Sequence, residues 1–159
     1  MRRKAGQSGL TIIELMIVVV IIGIIASIVM PLVNGYALRS KVTEGLLHFG
    51  DCRNQIQEVY LSGSELPGAD NWGCEATNPS RFVASISTSD EGIVKITFGN
   101  QVNDLRLAQH YITLAPLAGS GNLMTEQNLG TPVRRWRCGS PADGTDVKAD
   151  WLPGNCRGQ

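Results

Sequence analysis

A single carboxylate, Glu14, interrupts the apolar stretch SGLTIIELMIVVVIIG (8–23), and no charged residue follows it from Leu15 to Met30. An ionisable side chain in a segment suited to lipid costs roughly 3 kcal/mol on insertion scales, so its presence implies a partner of opposite charge. Reactive chemistry elsewhere is sparse. His48 and His110 have no Ser, Cys or acid placed with them as a nucleophile requires, and no phosphate-binding glycine loop is present. Asp143, Asp146 and Asp150 form a weak calcium pattern, with spacing unlike an EF-hand loop. Arg134, Arg135 and Arg137 surround Trp136, with Trp151 and Arg157 further on. Cations interleaved with aromatics can bind single-stranded nucleic acid. On a strand, however, Arg134 shares a face with Trp136 and Arg135 with Arg137, so the plainer reading is a solvated strand with one packed aromatic.

The element that must position Glu14 is a long helix. Residues 10–33 form an apolar stretch with that one charge, and a bilayer-spanning helix needs ~20 such residues. Arg2, Arg3 and Lys4 precede it, whereas the rest of the chain carries 11 basic and 14 acidic residues. This asymmetry predicts a cytoplasmic N-terminus and an exported C-terminal part, although Arg39 and Lys41 beyond the span weaken the bias. The mildly acidic remainder also argues against a protein that holds nucleic acid by bulk charge. An ordinary secretory signal has an apolar core of roughly 7–15 residues and a small-residue site after it. Here the core is longer, and the small pair Ser8-Gly9 lies before it.

Past Pro31 and Gly35 the apolar residues Val42, Leu46, Phe49, Cys52, Ile56 and Val59 recur at helical spacing. The pattern predicts one helix from about Thr11 to Leu61, on the order of 75 Å at ~1.5 Å per residue, amphipathic in its second half. Gly23, Pro31 and Gly35 are the places for it to bend. Ser62-Gly63-Ser64 ends it, and a loop rich in Gly, Pro and Asn follows. FVASIST (82–88) and GIVKITF (92–98) read as a hairpin, HYITLAP (110–116) as a third strand and PVRRWRC (132–138) as a fourth.

The four cysteines, Cys52, Cys74, Cys138 and Cys156, all fall in the exported part, with no CxxC pair and no nearby His to complete a zinc set. An even count outside the cytosol predicts disulfides, for which three connectivities exist. The pairing 52–74 with 138–156 closes two short local loops and is favoured.

The expected fold is therefore α+β: a long N-terminal helix packed on a four-stranded antiparallel sheet, with a disulfide-bounded C-terminal loop. Its parts are a leader (1–9), an apolar half-helix (10–33), an amphipathic half-helix (34–61), a loop (62–81), the sheet (82–138) and the C-terminal loop and tail (139–159).

The basic leader ending in Gly9, the segment LTIIELMIVVVIIGIIASIVMP with Glu14 five positions beyond Gly9, and the continuing Val33-Asn34-Gly35-Tyr36 closely resemble the N-terminus of type IV pilins of the IVa class. The C-terminal loop ending LPGNC (152–156) looks like the corresponding loop of Pseudomonas-like major pilins. The resemblance runs from Gly9 to Cys156. Two departures stand out: Leu10 where Phe is usual, and Asp51 where many members have a second helix-kinking proline.

The resemblance implies cleavage between Gly9 and Leu10 by an inner-membrane prepilin peptidase, N-methylation of Leu10, and polymerisation into a homo-oligomeric helical filament by inner-membrane pilus assembly machinery. It implies residence in the inner membrane of a Gram-negative bacterium before assembly and in an extracellular pilus afterwards. It implies no enzyme activity and no cofactor. After the cut, Glu14 of one subunit would neutralise the new amine of Leu10 on a neighbour, with Thr11 adding a hydrogen bond. Twitching, adhesion to a host surface, phage attachment and DNA uptake are activities such a pilus serves. Pseudopilins and minor pilins share the N-terminal motif and form the alternative.

Overall fold

The computed structural model describes residues 10–158. They fall into two units, one ending at Tyr36 and one beginning at Ala37. Helix α1 (Ile12–Ser62) runs unbroken through Gly23, Pro31 and Gly35 and through Asp51. Its bounds lie one residue from those that periodicity predicts at each end.

In the second unit the sheet has five strands, not four: β1 (Ala76–Thr77), β2 (Val83–Thr88), β3 (Val94–Phe98), β4 (Tyr111–Leu117) and β5 (Arg135–Cys138). They lie in chain order and every neighbouring pair is antiparallel, so the sheet is a meander. The additional strand lies inside the span read as loop (62–81). Ala76 and Thr77 pair with Ile86 and Ser85, and two residues are too few to show an alternating pattern. The fourth expected strand starts three residues late, at Arg135, with Arg134 N–H already donating to the Leu117 carbonyl at 3.1 Å.

Hydrophobic burial explains how the helix seats on the sheet. Leu38, Val42, Phe49, Cys52, Ile56 and Tyr60 of α1 are buried against Val94, Ile96 and Phe98 of β3 and Ile112 and Leu114 of β4. The predicted stripe is offset at two positions, Leu46 and Val59, which are half-buried while Gly45 and Tyr60 take the interior. Gly45 lies under Phe98, whose ring carbon would be 2.9 Å from a Cβ at that position. A hydropathy pattern gives no weight to such a glycine, yet any side chain there would push the ring away. At the helix end, the Tyr60 hydroxyl donates to the Glu91 carbonyl (3.0 Å) and its ring packs 5.8 Å from Trp72. Burial, with the Glu91 charge adding, pushes the Tyr60 phenol up to about 12.

Candidate assembly segment and C-terminal disulfide loop

In the first unit the chain enters α1 through Leu10 and Thr11. The Thr11 carbonyl accepts from the backbone N–H of Glu14 (3.1 Å) and Leu15 (3.2 Å), and the Thr11 hydroxyl donates to Glu14 Oε2 at 3.5 Å. Glu14 thus sits in the first helical turn, where the unsatisfied N–H groups and the positive end of the dipole favour a carboxylate. Leu10, Thr11 and Glu14 are brought together at one helix end. Beyond them Ile12–Val29 is long and apolar enough to cross a membrane, and none of it is buried. Ser27, the polar side chain of that run after Glu14, returns its hydroxyl to the Ile24 carbonyl at 2.7 Å. A stretch of this kind adheres to lipid or to other copies of itself. Gly9 of the proposed cleavage pair lies outside the described residues, as do Arg2, Arg3 and Lys4.

At the other end of the chain, Cys138 at the close of β5 is bonded to Cys156, and Cys52 on α1 is bonded to Cys74. The chain leaves β5 through Gly139, which has φ +72° and whose Cβ would overlap the carbonyl of Cys156, so glycine is required there. Residues 139–158 then take over the edge of β4 that β5 leaves free. Gly139 N–H donates to the Thr113 carbonyl, Thr113 N–H donates to Thr145 Oγ1, and the Asp146 carboxylate accepts from Tyr111 N–H at 2.7 Å. Gly158 N–H closes back on the Cys138 carbonyl at 2.7 Å. Inside the loop Arg137 grips Asp143, which holds the guanidinium pKa above its ordinary value.

These contacts revise the reading of the acidic residues. Asp143 is engaged by Arg137 and Asp146 by His110 Nδ1 (2.9 Å) and Tyr111 N–H, so the Asp143, Asp146 and Asp150 set does not converge on a calcium ion. Among the described residues no group of three metal-binding side chains is found. His110 has a carboxylate partner after all, 36 positions away, a separation that sequence inspection does not bridge. Trp136 is packed, as the plainer reading of its strand expects, with the Arg53 guanidinium 5.3 Å from its ring.

One structural site escaped the sequence reading altogether. Glu75, next to the bonded Cys74, accepts from Trp72 N–H (2.9 Å), Gly73 N–H (2.8 Å) and the Thr88 hydroxyl. Burial pushes its carboxyl up, but the bonds from Thr88 and from the backbone outweigh it, and the pKa is lowered. Asp70 clasps the same strand, with Oδ1 accepting from Thr88 N–H at 2.9 Å.

The described residues thus comprise an exposed apolar helical segment on one unit and, on the other, an amphipathic helix seated on an antiparallel meander and closed by a disulfide loop. Comparison with known proteins gives the family. A model for the pilin family of bacterial filaments matches residues 38–157, and one for the prokaryotic N-terminal methylation motif matches residues 4–30. The fimbrial protein EcpC of Eikenella corrodens is 31% identical over 159 residues, covering 97% of this chain and 93% of its own. The type IV major pilin protein PilE1 of Neisseria gonorrhoeae is 27% identical over 160 residues, covering 95% and 87%. The type IV major fimbrial protein FimA of Dichelobacter nodosus is 36% identical over 115 residues, covering 60% and 74%. The chain belongs to the pilin family, whose members are structural, filament-forming subunits rather than enzymes.

Proposed function

We propose that the chain is the major structural subunit of a type IV pilus, cut between Gly9 and Leu10 by prepilin peptidase and methylated on Leu10. The observation that carries this reading is the fully exposed run Ile12–Val29 beginning one turn around Glu14 and Thr11. Such a surface is stable in lipid, and outside lipid it is stable only when covered by other copies at ~25 cal/mol per Å² removed from water. The Leu10 amine freed by the cut supplies the counter-charge that Glu14 needs. Gly23 and Pro31 provide the places where the packed helix adjusts its path.

Major pilin is preferred to pseudopilin or minor pilin on three observations. The C-terminal disulfide loop is structurally complete, and the carboxylates that a calcium-dependent pseudopilin would keep for metal are engaged by Arg137 and His110. PilE1, named a type IV major pilin, matches 95% of the chain. The inner membrane of a Gram-negative cell is the proposed residence before assembly, the pilus the residence afterwards.

Electron microscopy of sheared surface fibres, with mass spectrometry of their subunit, tests the assignment. The expected subunit is the dominant fibre protein and starts at methylated Leu10. Gly9→Val should leave uncut precursor in the membrane and no fibres, and normal fibres from that variant would refute the cleavage site.

A further inference from the structure

Three of the cations around Trp136 have no carboxylate partner among the described residues. Arg134, Arg135 and Arg53 are exposed, and none of them lies within 4.0 Å of a carboxylate among the described residues. Arg137, next in line, is by contrast committed to Asp143. Arg134 and Arg135 stand at the start of β5, the terminal strand of the sheet, and Arg53 of α1 lies against Trp136 of the same strand. The Arg135 side chain lies along the connection before it, its Nη2 2.9 Å from where a Cβ at Gly121 would stand.

Around the β2–β3 turn, past the end of α1 and at the short helical turn Glu126–Asn128 of the β4–β5 connection, the charge is reversed. Glu65, Asp90, Glu91 and Glu126 line one open depression of about 570 Å³ with Leu66, Thr125 and Gln127. No cation lines it, none of the four carboxylates is in an ion pair among the described residues, and α1 has no basic residue in its last turn. The folded unit therefore carries exposed guanidinium groups outside any ion pair among the described residues and, separately, a depression lined by carboxylates and by no cation.

We propose that the Arg134–Arg135 edge, with Arg53 on Trp136, docks into the Glu65–Asp90–Glu91–Glu126 depression of a second copy of this chain. This interface presupposes the filament proposed above and adds to it a contact between exported domains. Because the two surfaces differ, the contact is head-to-tail, and a heterologous contact that does not close into a ring propagates as an open helix. Apolar helices alone can slide past one another, whereas opposed charge patches fix register and suppress wrong neighbours. Arg is suited to this task because its planar fork meets carboxylates in pairs.

Two charge reversals test the contact: Arg134→Glu with Arg135→Glu, and Glu65→Lys with Glu126→Lys, all at exposed positions. Each doubly substituted chain alone sets like charges face to face, and fibre number should fall at least about tenfold while cleaved subunit remains abundant. When the two chains are expressed together, the acidic edge of one meets the basic depression of the other, and fibres containing both should return to wild-type number. Normal fibres from either chain alone, or no recovery on co-expression, would overturn the interface. If the arginine variant forms normal fibres that no longer retain a mixed-sequence single-stranded oligonucleotide, the patch serves nucleic acid and the interface is wrong. Loss of wild-type fibres on chelation, with the reversals silent, would assign the depression to a divalent cation instead. Absence of fibres from the unaltered chain would defeat the pilus reading itself, a result distinct from all of these.

Discussion

Arg137 and Asp143 meet in a two-pronged ion pair, Nε to Oδ2 at 2.7 Å and Nη2 to Oδ1 at 2.5 Å, with the Asp143 side chain 1% exposed. Asp143 sits in the short helical turn Pro141–Asp143, capped by the Ser140 hydroxyl accepting from Ala142 N–H. The pair therefore ties the first turn of the disulfide loop to the strand that the loop leaves. Removing Asp143 leaves Arg137, whose side chain is 25% exposed and still reaches water, so the cost is about 2 kcal/mol, below that of a fully buried pair. Asp143→Ala should lower the urea midpoint of the detergent-solubilised subunit, followed by tryptophan fluorescence. Replacing both partners by apolar residues of similar size, Arg137→Met with Asp143→Leu, should recover most of the loss. Equal destabilisation by the single and double variants would show that the pair is not coupled.

Glu75 gives the αβ connection an acid-sensitive clasp. Its folded pKa is lowered by the Thr88, Trp72 and Gly73 donors against the opposing effect of burial. The unfolded chain consequently takes up the proton first as pH falls. The stabilisation is complete above the ordinary glutamate value of 4.5 and is lost as pH drops through the lowered folded value. Glu75→Gln, which keeps one acceptor and loses the charge, should be less stable than wild type at pH 7, and the gap should narrow on acidification through that window. A gap that stays constant from pH 7 to about pH 3 would remove the carboxylate from the account.

Much of this architecture can be read from residue order, because its main determinants are local and periodic. The helix shows as an uninterrupted apolar run followed by a stripe. Strands β2 and β3 show as alternating apolar and polar residues, and β4, buried along nearly its whole length, as a short apolar run. Contacts that join distant positions leave no such trace. The pairing of β1 rests on where the Cys52–Cys74 bond holds residue 74 and on the donors gathered by Glu75, and the Asp146–His110 bond spans separate segments. Gly45 is invisible for another reason: its importance is the absence of a side chain beneath Phe98. At the N-terminus the reverse holds. Glu14 stands out in the sequence because it breaks a pattern, while in the single chain its polar side-chain neighbour is the Thr11 hydroxyl at 3.5 Å.

The two disulfides constrain different joints. Cys52–Cys74 fastens the connection after α1 back onto the helix, with 22 positions between its ends, and Cys138–Cys156 fastens the tail, with 18. Each contributes ~3 kcal/mol in the chain-entropy model, a large share of a small domain's stability. Cys138→Ser and Cys52→Ser should each reduce subunit abundance and pilus number several-fold. Alkylation of unreduced fibres followed by mass spectrometry is the check on pairing. Modification of any of the four cysteines in native fibres would contradict it.

The last prediction concerns Glu14 and separates assembly from folding. The exported unit has its own core, sheet and disulfides, so loss of a carboxylate on the apolar segment should leave it folded and the precursor inserted. Insertion should even be eased, since a charged group in the bilayer is costly. What disappears is the counter-ion for the Leu10 amine, and with it the preference for one axial register among helices that otherwise match one another at many offsets. An unpaired amine buried between subunits is penalised far more than a paired one. Glu14→Ala should therefore accumulate as cleaved, membrane-resident subunit with few or no fibres. Glu14→Asp, which keeps the charge on a shorter arm, should retain some assembly. Processing and surface fibres are to be measured in the same cells. Abundant fibres from Glu14→Ala would end the charge-pair account, and failure of that variant to be cut would move the residue's role from assembly to recognition by the peptidase.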